Sequence, residues 1–524
     1  MSKKPRLDKP VPRPVGAPIA LQGIRVVDDR IAVIVGLGEA LDRPQVLAQA
    51  KDPVSLMAQA VEAAQADAGV RILQQLDLVD IIKHVSTPAE HLPRKLSEKL
   101  GLSGVRCEMG EGSGNGPLRE LDHIAHLIQG GHLDTALICG GEVQWTLDQA
   151  AKQGVALDWM REVVSELSVP KVFANPLAIK YGLTSPAQVY PLYDNAASAT
   201  WGQTPQEARQ ESATIWSRMS EVASQNPFAW SGKPRSAHDI AEPTKDNRLL
   251  AWPYSKFMVA NPSVNQASAI IVTSLSRARQ LGVPRDKMIF LHFGAAAREA
   301  DDYLLRDRYD DSPSQNAVLR AALQFMGWER SRFDFAELYS CFPIVPKMAR
   351  RVLSMPADQP LTVAGGLSFF GGPLHNYMSH ATIAMCRKLR DQRDAMGLLY
   401  GQGGFVTKHH ALVLSAQDAA PLPEAGHAAV QAQADQARGP IPRLLDAYAG
   451  PAELETFTVV HDRQQQPLYG TVLARVDESR RTLARVHASQ TDTLRLLCSL
   501  QNSPVGRRGQ IRAGQDGYFD WSFL

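Results

Sequence analysis

RIAVIVGLG, residues 30–38, is a compact apolar run rich in β-branched side chains, and it reads as a buried strand. DPVSLMAQAVEAAQADAG (52–69) follows as a helix, with Asp52 as N-cap, Pro53 at the first helical position and Gly69 as the stop. Leu56, Met57, Ala60, Val61 and Ala64 fall on one face, and LVDIIKHVS (78–86) is the next strand. The same order returns later as KMIFLHFG (287–294), SQNAVLRAALQFMG (314–327) and FDFAELYSCF (333–342). Val79 lies 48 residues after Ile31, and Asp334 lies 46 after Met288, so a strand–helix–strand unit is duplicated.

The repeat continues. EGSGNGPL (111–118) opens a helix that ends at IQGGH and leads to TALICGG (135–141), while FFGGPLHNYMSHATIAMCRKL (369–389) leads to GLLYGQGG (397–404). ASAIIVTS (267–274) and ALVLSA (411–416) each close a half. Strands alternating with helices predict mostly parallel sheets covered by helices. Between Glu142 and Asn265 the first half carries an insertion with six of the eight tryptophans, read as a small helical subdomain with its own core. AQDAAPLPEAGHAAVQAQADQARGP (416–440) reads as a connector. ELETFTVVHD, PLYGTVLARV, RTLARVHAS and GQIRAGQDGYFDWSF then predict a small antiparallel barrel of about 80 residues.

The chain has 524 residues, 44% hydrophobic and 21% charged, with a formal net charge of +2, so no global field points to nucleic acid or a membrane surface as partner. No stretch approaches the roughly 18 apolar residues of a membrane span. The five cysteines, 107, 139, 341, 386 and 498, form no CxxC pair, which suits reduced thiols in a cytoplasm. MSKKPRLDKPVPRP lacks a following apolar segment and reads as a disordered basic tail, 1–24. No GxGxxG follows a strand, so no nicotinamide or flavin cofactor is expected.

Together with the duplicated halves and the insertion, the strings GGLSFFGGP, ELYSCFP and YGQGG resemble the thiolase superfamily, and with the appended barrel the whole chain resembles its bacterial type 1 thiolase-like proteins, often labelled acetyl-CoA acetyltransferases. The resemblance implies an α/β fold with a duplicated α-β-α-β-α five-layer core, an inserted loop domain and an OB-like all-β barrel. It divides the chain into an N-terminal half at 25–275 with the loop domain at about 143–264, a second half at 276–416, a linker at 417–445 and the barrel at 446–524. It also implies a CoA thioester, substrate or ligand, bound between the halves and the loop domain.

Thiolase chemistry needs a nucleophilic cysteine, a histidine in a GHP motif and a second cysteine for proton transfer. The nucleophile position here is Gly114, with Cys107 seven residues earlier as a weak substitute. The histidine position is Gly372, with His375 three residues on. The CxG motif is Gly401-Gln402-Gly403, and Cys341, in Tyr339-Ser340-Cys341-Phe342, matches the cysteine of an HDCF motif. The resemblance thus makes Cys341, His375 and Tyr339 the catalytic candidates. It makes Gly114, Gly371, Gly372, Gly401 and Gly403 the substrate-binding or oxyanion candidates. His123 and His126 lie on one helix without an evident distant ligand set, so no metal is expected, and His409-His410 read as ordinary strand-end residues. Two functions follow: an acyltransferase with rearranged chemistry, or a catalytically inactive acyl-CoA-binding or scaffold protein in lipid or polyketide-type metabolism. The barrel offers a surface for a protein partner, and either a monomer or a homodimer is compatible with it.

Overall fold

The computed structural model describes residues 30–89, 91–160, 175–329, 332–356, 358–423 and 426–524. The basic segment 1–24 lies outside them. The first half contains β1 (Ala32–Leu41), α1 (Pro53–Ala68), β2 (Leu78–Ile81), β3 (Arg106–Met109), α2 (Gly116–Gln129) and β4 (Thr135–Val143). After the insertion helices α3 (Pro186–Thr200) and α4 (Pro205–Gln225), it closes with β5 (Asn265–Ser274). The second half contains β6 (Ile289–Arg298), α5 (Pro313–Phe325), β7 (Phe335–Leu338), α6 (Tyr377–Asp391), β8 (Met396–Gly403) and β9 (Lys408–Ser415). Helix α1 begins and ends as its residues dictate. Asp52 Oδ1 accepts the Ser55 N–H at 3.0 Å, Pro53 occupies the first turn, and Gly69 leaves the helix at φ 73°.

The strands run β3-β2-β4-β5-β1 in one half and β7-β8-β9-β6 in the other, and Val33–Phe290 and Ile34–Ile289 join β1 to β6. The segments beginning at Ile31 and Met288 therefore take equivalent, adjacent places. Helices α2 and α6 touch strands of both halves and form the central layer, while α1 covers β1 and β5 and α5 covers β6 and β9 from outside. The sheets are mixed rather than mostly parallel. Only β2–β3, β2–β4 and β7–β8 pair parallel. The departure comes from the last strand of each half. β8 turns directly into β9 through a short loop, and β5 returns from the insertion to lie between β4 and β1, antiparallel to both.

The insertion does not keep a core of its own. Its Tyr190, Tyr193 and Trp216 are buried in one continuous cluster with Phe342, Phe370 and Tyr400 of the second half. Trp216 Nε1 donates to Ser368 Oγ at 2.8 Å, which ties α4 to the glycine-rich loop. The connector stretch contains a further helix, α7 (Gly426–Ala437), which packs on α5 and β6.

The C-terminal unit is a closed five-stranded barrel: β10 (Gly450–His461), β11 (Pro467–Asp477), β12 (Arg480–His487), β14 (Phe519–Phe523) and β13 (Arg508–Ala513), with β13 returning to β10. It is antiparallel except where β12 meets β14 at Arg485–Asp520. Its attachment is polar and buried. The Arg481 guanidinium is fully buried, 2.6 Å from Glu455 Oε1, and donates to the carbonyls of Leu304, Arg306 and Asp307 in the second half. Glu455 keeps Arg475 Nη2 at 2.7 Å when Arg481 is replaced, so its charge stays paired while the carbonyls of Leu304, Arg306 and Asp307 lose a donor. Arg481→Met is therefore expected to lower stability by about 1–3 kcal/mol in urea unfolding. Arg94→Met, which removes a solvent-exposed pair with Glu98, should leave the midpoint almost unmoved.

Candidate functional site

A cavity of about 900 Å³ opens between the halves and the insertion. Its walls are the loop after β2 (Lys83 to Ala89), the turn before α2 (Gly112 to Gly114), the start of α3 with Tyr190, the loop at Val259 to Pro262, the segment after β7, the glycine-rich loop, and the turn after β8. β2, β7 and β8 all deliver their C-terminal ends to this place, where open α/β sheets form ligand crevices.

Two buried carboxylates hold the walls in place. Glu337, at the end of β7, accepts the Val363 N–H (2.8 Å), the Ala364 N–H (3.2 Å) and the hydroxyls of Thr362 (2.8 Å) and Tyr377 (2.7 Å). Tyr377 Oη in turn accepts the Gly366 N–H at 3.1 Å. The loop then makes a wide turn over Gly366–Phe370, with Gly365, Gly366 and Gly371 at φ 120°, 74° and 116°, conformations that exclude side chains. On the opposite wall Glu142 accepts the Val85 and Ser86 N–H groups at 3.0 and 2.8 Å.

The structure brings six of the candidate residues to the cavity: Gly114, Tyr339, Cys341, Gly372, His375 and Gly403. Gly371 and Gly401 do not line it. Gly371 packs against the Gln266 side chain and Gly401 against Asn115 and Leu118. The Gly372 N–H already donates to Asn261 O at 2.8 Å, so it is spent as an oxyanion donor. Gly114 has no room for a side chain. A Cβ there would fall on the Tyr339 hydroxyl and the Gln402 carbonyl and 2.7 Å from Tyr339 Cζ. Tyr339 thus fills the space a side chain at 114 would need. At Gly372, by contrast, nothing lies closer than 3.5 Å to that position. Cys107 faces away, its Sγ 2.9 Å from Ser97 Oγ.

Three of the lining groups are held in their neutral forms. Burial pushes the Cys341 thiol up to about 11, and Gln402 Nε2 stands 3.4 Å from its sulfur. Burial likewise holds the Tyr339 phenol well above its ordinary value, with a smaller contribution from Cys341. Burial first, then the ammonium groups of Lys83 and Lys408, holds the His375 imidazole down at about 4. The ring makes no hydrogen bond among the described residues.

Residues 430–517 match the family model described as the thiolase-like protein type 1 additional C-terminal domain. The whole chain superimposes on a monomeric SCP2-thiolase-like protein type 1 from Mycobacterium smegmatis with a TM-score of 0.81 and 25% identity, covering 95% of this chain and 100% of that one. The chain has the thiolase-like fold with the type 1 additional domain. Acetyl-CoA acetyltransferase from Syntrophomonas wolfei (16% identity, TM-score 0.52, 74% of this chain and 99% of that) and human mitochondrial 3-ketoacyl-CoA thiolase (13%, 0.54, 75% and 100%) share the fold. No curated protein matches the chain in sequence.

Within this thiolase-like frame, several lining residues carried no sequence signal. Tyr190 stacks on Phe342 with ring centroids 4.4 Å apart, accepts from Gln402 Nε2 at 2.5 Å and donates to Gly404 O at 3.1 Å. Lys83 and Lys408 also face the cavity. Away from it, His126, His410 and His427 converge on buried Asp122, with His410 and His427 Nε2 at 2.8 and 3.0 Å from Oδ2. The two strand-end histidines thus have separate jobs: His410 pairs with Asp122, and His409 bonds Tyr400 Oη at 2.8 Å.

Burial, with Arg306 adding to it, holds His409 at about 3, alongside His375 at about 4, against an ordinary value of 6.5. From about pH 6.5 downward the unfolded chain binds protons at these sites that the folded chain refuses until about pH 4 at His375 and about pH 3 at His409, so their contribution falls as pH falls and is constant above 7. His375→Gln is expected to lose about 1–3 kcal/mol less stability than the parent between pH 7 and 4.5, read from urea midpoints at each pH.

Proposed function

We propose that this chain binds CoA thioesters in the cavity and handles them without forming an acyl-enzyme. The observation that carries this reading is the Tyr339 ring standing where a side chain at Gly114 would have to go. The nucleophile position is both empty of a thiol and closed to one. What remains is a protonated thiol, a protonated phenol and a neutral imidazole lining the cavity, groups that can offer hydrogen bonds to a thioester without forming a covalent bond to it. Among the described residues the Gly114 N–H has no acceptor, and it lies beside Gly403, whose Cβ position is 3.2 Å from Gly114 N. These backbones suit a polarised thioester oxygen. A second reading, acyl transfer through Cys341, is disfavoured by its protonation: at about 11 the thiolate fraction at pH 7 is about one in 10⁴.

The five cysteines are free, which fits a reducing compartment, and among the described residues no helix is long and apolar enough to cross a membrane. The reading places the protein in the cytoplasm as a monomer, in keeping with the state named for the Mycobacterium smegmatis relative.

Calorimetry with acetyl-, butyryl- and palmitoyl-CoA is expected to show binding of at least one, while intact-mass spectra after incubation with each show no acyl adduct. Gly114→Ala, which overpacks the wall, should cost about 1–3 kcal/mol of stability and weaken that binding. A stoichiometric adduct that Cys341→Ala removes would overturn the non-covalent reading in favour of acyl transfer.

A further inference from the structure

The charged groups of the cavity wall do not balance. Lys408 Nζ lies 3.6 Å from Asp301 Oδ1, and Asp301 is shared with Arg298 at 3.8 Å. Lys83 lines the same cavity and has no carboxylate partner among the described residues. Its stem passes the turn before α2: a Cβ placed on Gly112 would lie 3.3 Å from Lys83 Cγ and 2.8 Å from His375 Nε2. The Lys83 stem and the unbonded imidazole therefore meet at Gly112, two residues from Gly114. The remainder of the nearby wall, Pro88, Ala89, Pro262 and Leu374, offers no negative group.

We infer that Lys83 and His375, with Lys408 behind them, form a subsite for a carboxylate on the acyl chain, so that the preferred ligands are CoA thioesters of dicarboxylic acids. This rests on the reading of the cavity as a CoA-thioester site. An uncompensated cation in a concave wall attracts an anion, and the imidazole adds a hydrogen bond that neutral acyl chains cannot use. Two anions in such a ligand meet the description, the acyl carboxylate and the CoA phosphates. The position favours the carboxylate, because Lys83 and His375 meet at the turn that carries Gly112 and Gly114, beside the backbone assigned to the thioester, and the pantetheine arm holds the phosphates away from that group.

The test compares succinyl-CoA with butyryl-CoA, and the corresponding succinyl and butyryl thioesters of pantetheine, by calorimetry on the full chain. The parent is expected to prefer the succinyl member of each pair by about 5–10-fold, less at 0.5 M salt. Lys83→Gln should erase the preference by weakening the succinyl member of each pair more than the butyryl member, and Lys83→Glu should reverse it. Lys83 is exposed, so both variants should keep the parent unfolding midpoint. Equal affinity within each pair would overturn the inference and leave the CoA-thioester reading standing. So would a Lys83→Gln loss that is the same for both CoA thioesters and absent with both pantetheine thioesters, which would assign Lys83 to the phosphates. Failure of every thioester to bind would overturn both readings.

Discussion

The buried carboxylate of Glu337 is the constraint on which the cavity depends. Four donors from two separate stretches, Thr362 to Ala364 by backbone and hydroxyl and Tyr377 by its phenol, converge on one side chain near the end of the edge strand β7. Burial raises its pKa while these bonds oppose the rise, so the charge is held by hydrogen bonds and not by a counter-ion. Without it, two backbone N–H groups would be left unpaired in the interior, and the loop could not make its wide turn beneath α4. Glu142 performs the same task for the Lys83-bearing loop. A rigid sheet thus exports its geometry to irregular walls through two carboxylates.

Given that frame, the occupant of each wall position follows from space. Tyr339 enters the cavity from the end of β7, and its ring is accommodated only because residue 114 has no side chain. Gln402 joins the same arrangement, donating to Tyr190 and Cys341 while its carboxamide oxygen accepts the Val406 N–H at 3.1 Å. The result is a cavity with polar atoms that are mostly paired with one another, so its thiol stays protonated and the His375 ring is left without an intramolecular partner. The glycine at 114 and the tyrosine at 339 are one packing solution seen from two sides.

The fold was legible because its signals are local: Asp52, Pro53 and Gly69 cap α1 as read, and the repeated spacing placed β1 and β6 as equivalents. Strand direction was not legible, since nothing in the periodicity of residues 267–274 tells whether the chain returns parallel or antiparallel after an insertion. The insertion's separate core failed for a related reason. Tryptophans such as Trp216 mark burial, but their partner, Ser368, lies 152 residues away. At the site, motif order located Gly114, Tyr339, Cys341 and His375 in one place. It missed that Gly371 and Gly401 point elsewhere and that the Gly372 amide is occupied, because backbone hydrogen bonding leaves no trace in a motif. Lys83 and His427 were invisible for want of any pattern, and His410 read as an ordinary strand-end residue because its partner, Asp122, lies 288 residues away.

The barrel's placement completes the physical argument about the cavity. Thr456 Oγ1 donates to Leu192 O at 2.6 Å, and Asn195 Nδ2 donates to Phe457 O at 2.9 Å, so β10 is bonded along α3. Val460 pairs with Ala251 of the insertion, which extends the barrel sheet into it. Helix α3 therefore has the barrel on one side and the cavity on the other, where Ala187 and Tyr190 form part of the wall. A helix so clamped cannot yield when a ligand presses on Tyr190, and the stack of Tyr190 on Phe342 carries that rigidity across to the segment holding Cys341. The additional domain braces a helix that lines the cavity, and among the described residues it contributes no side chain to the cavity itself.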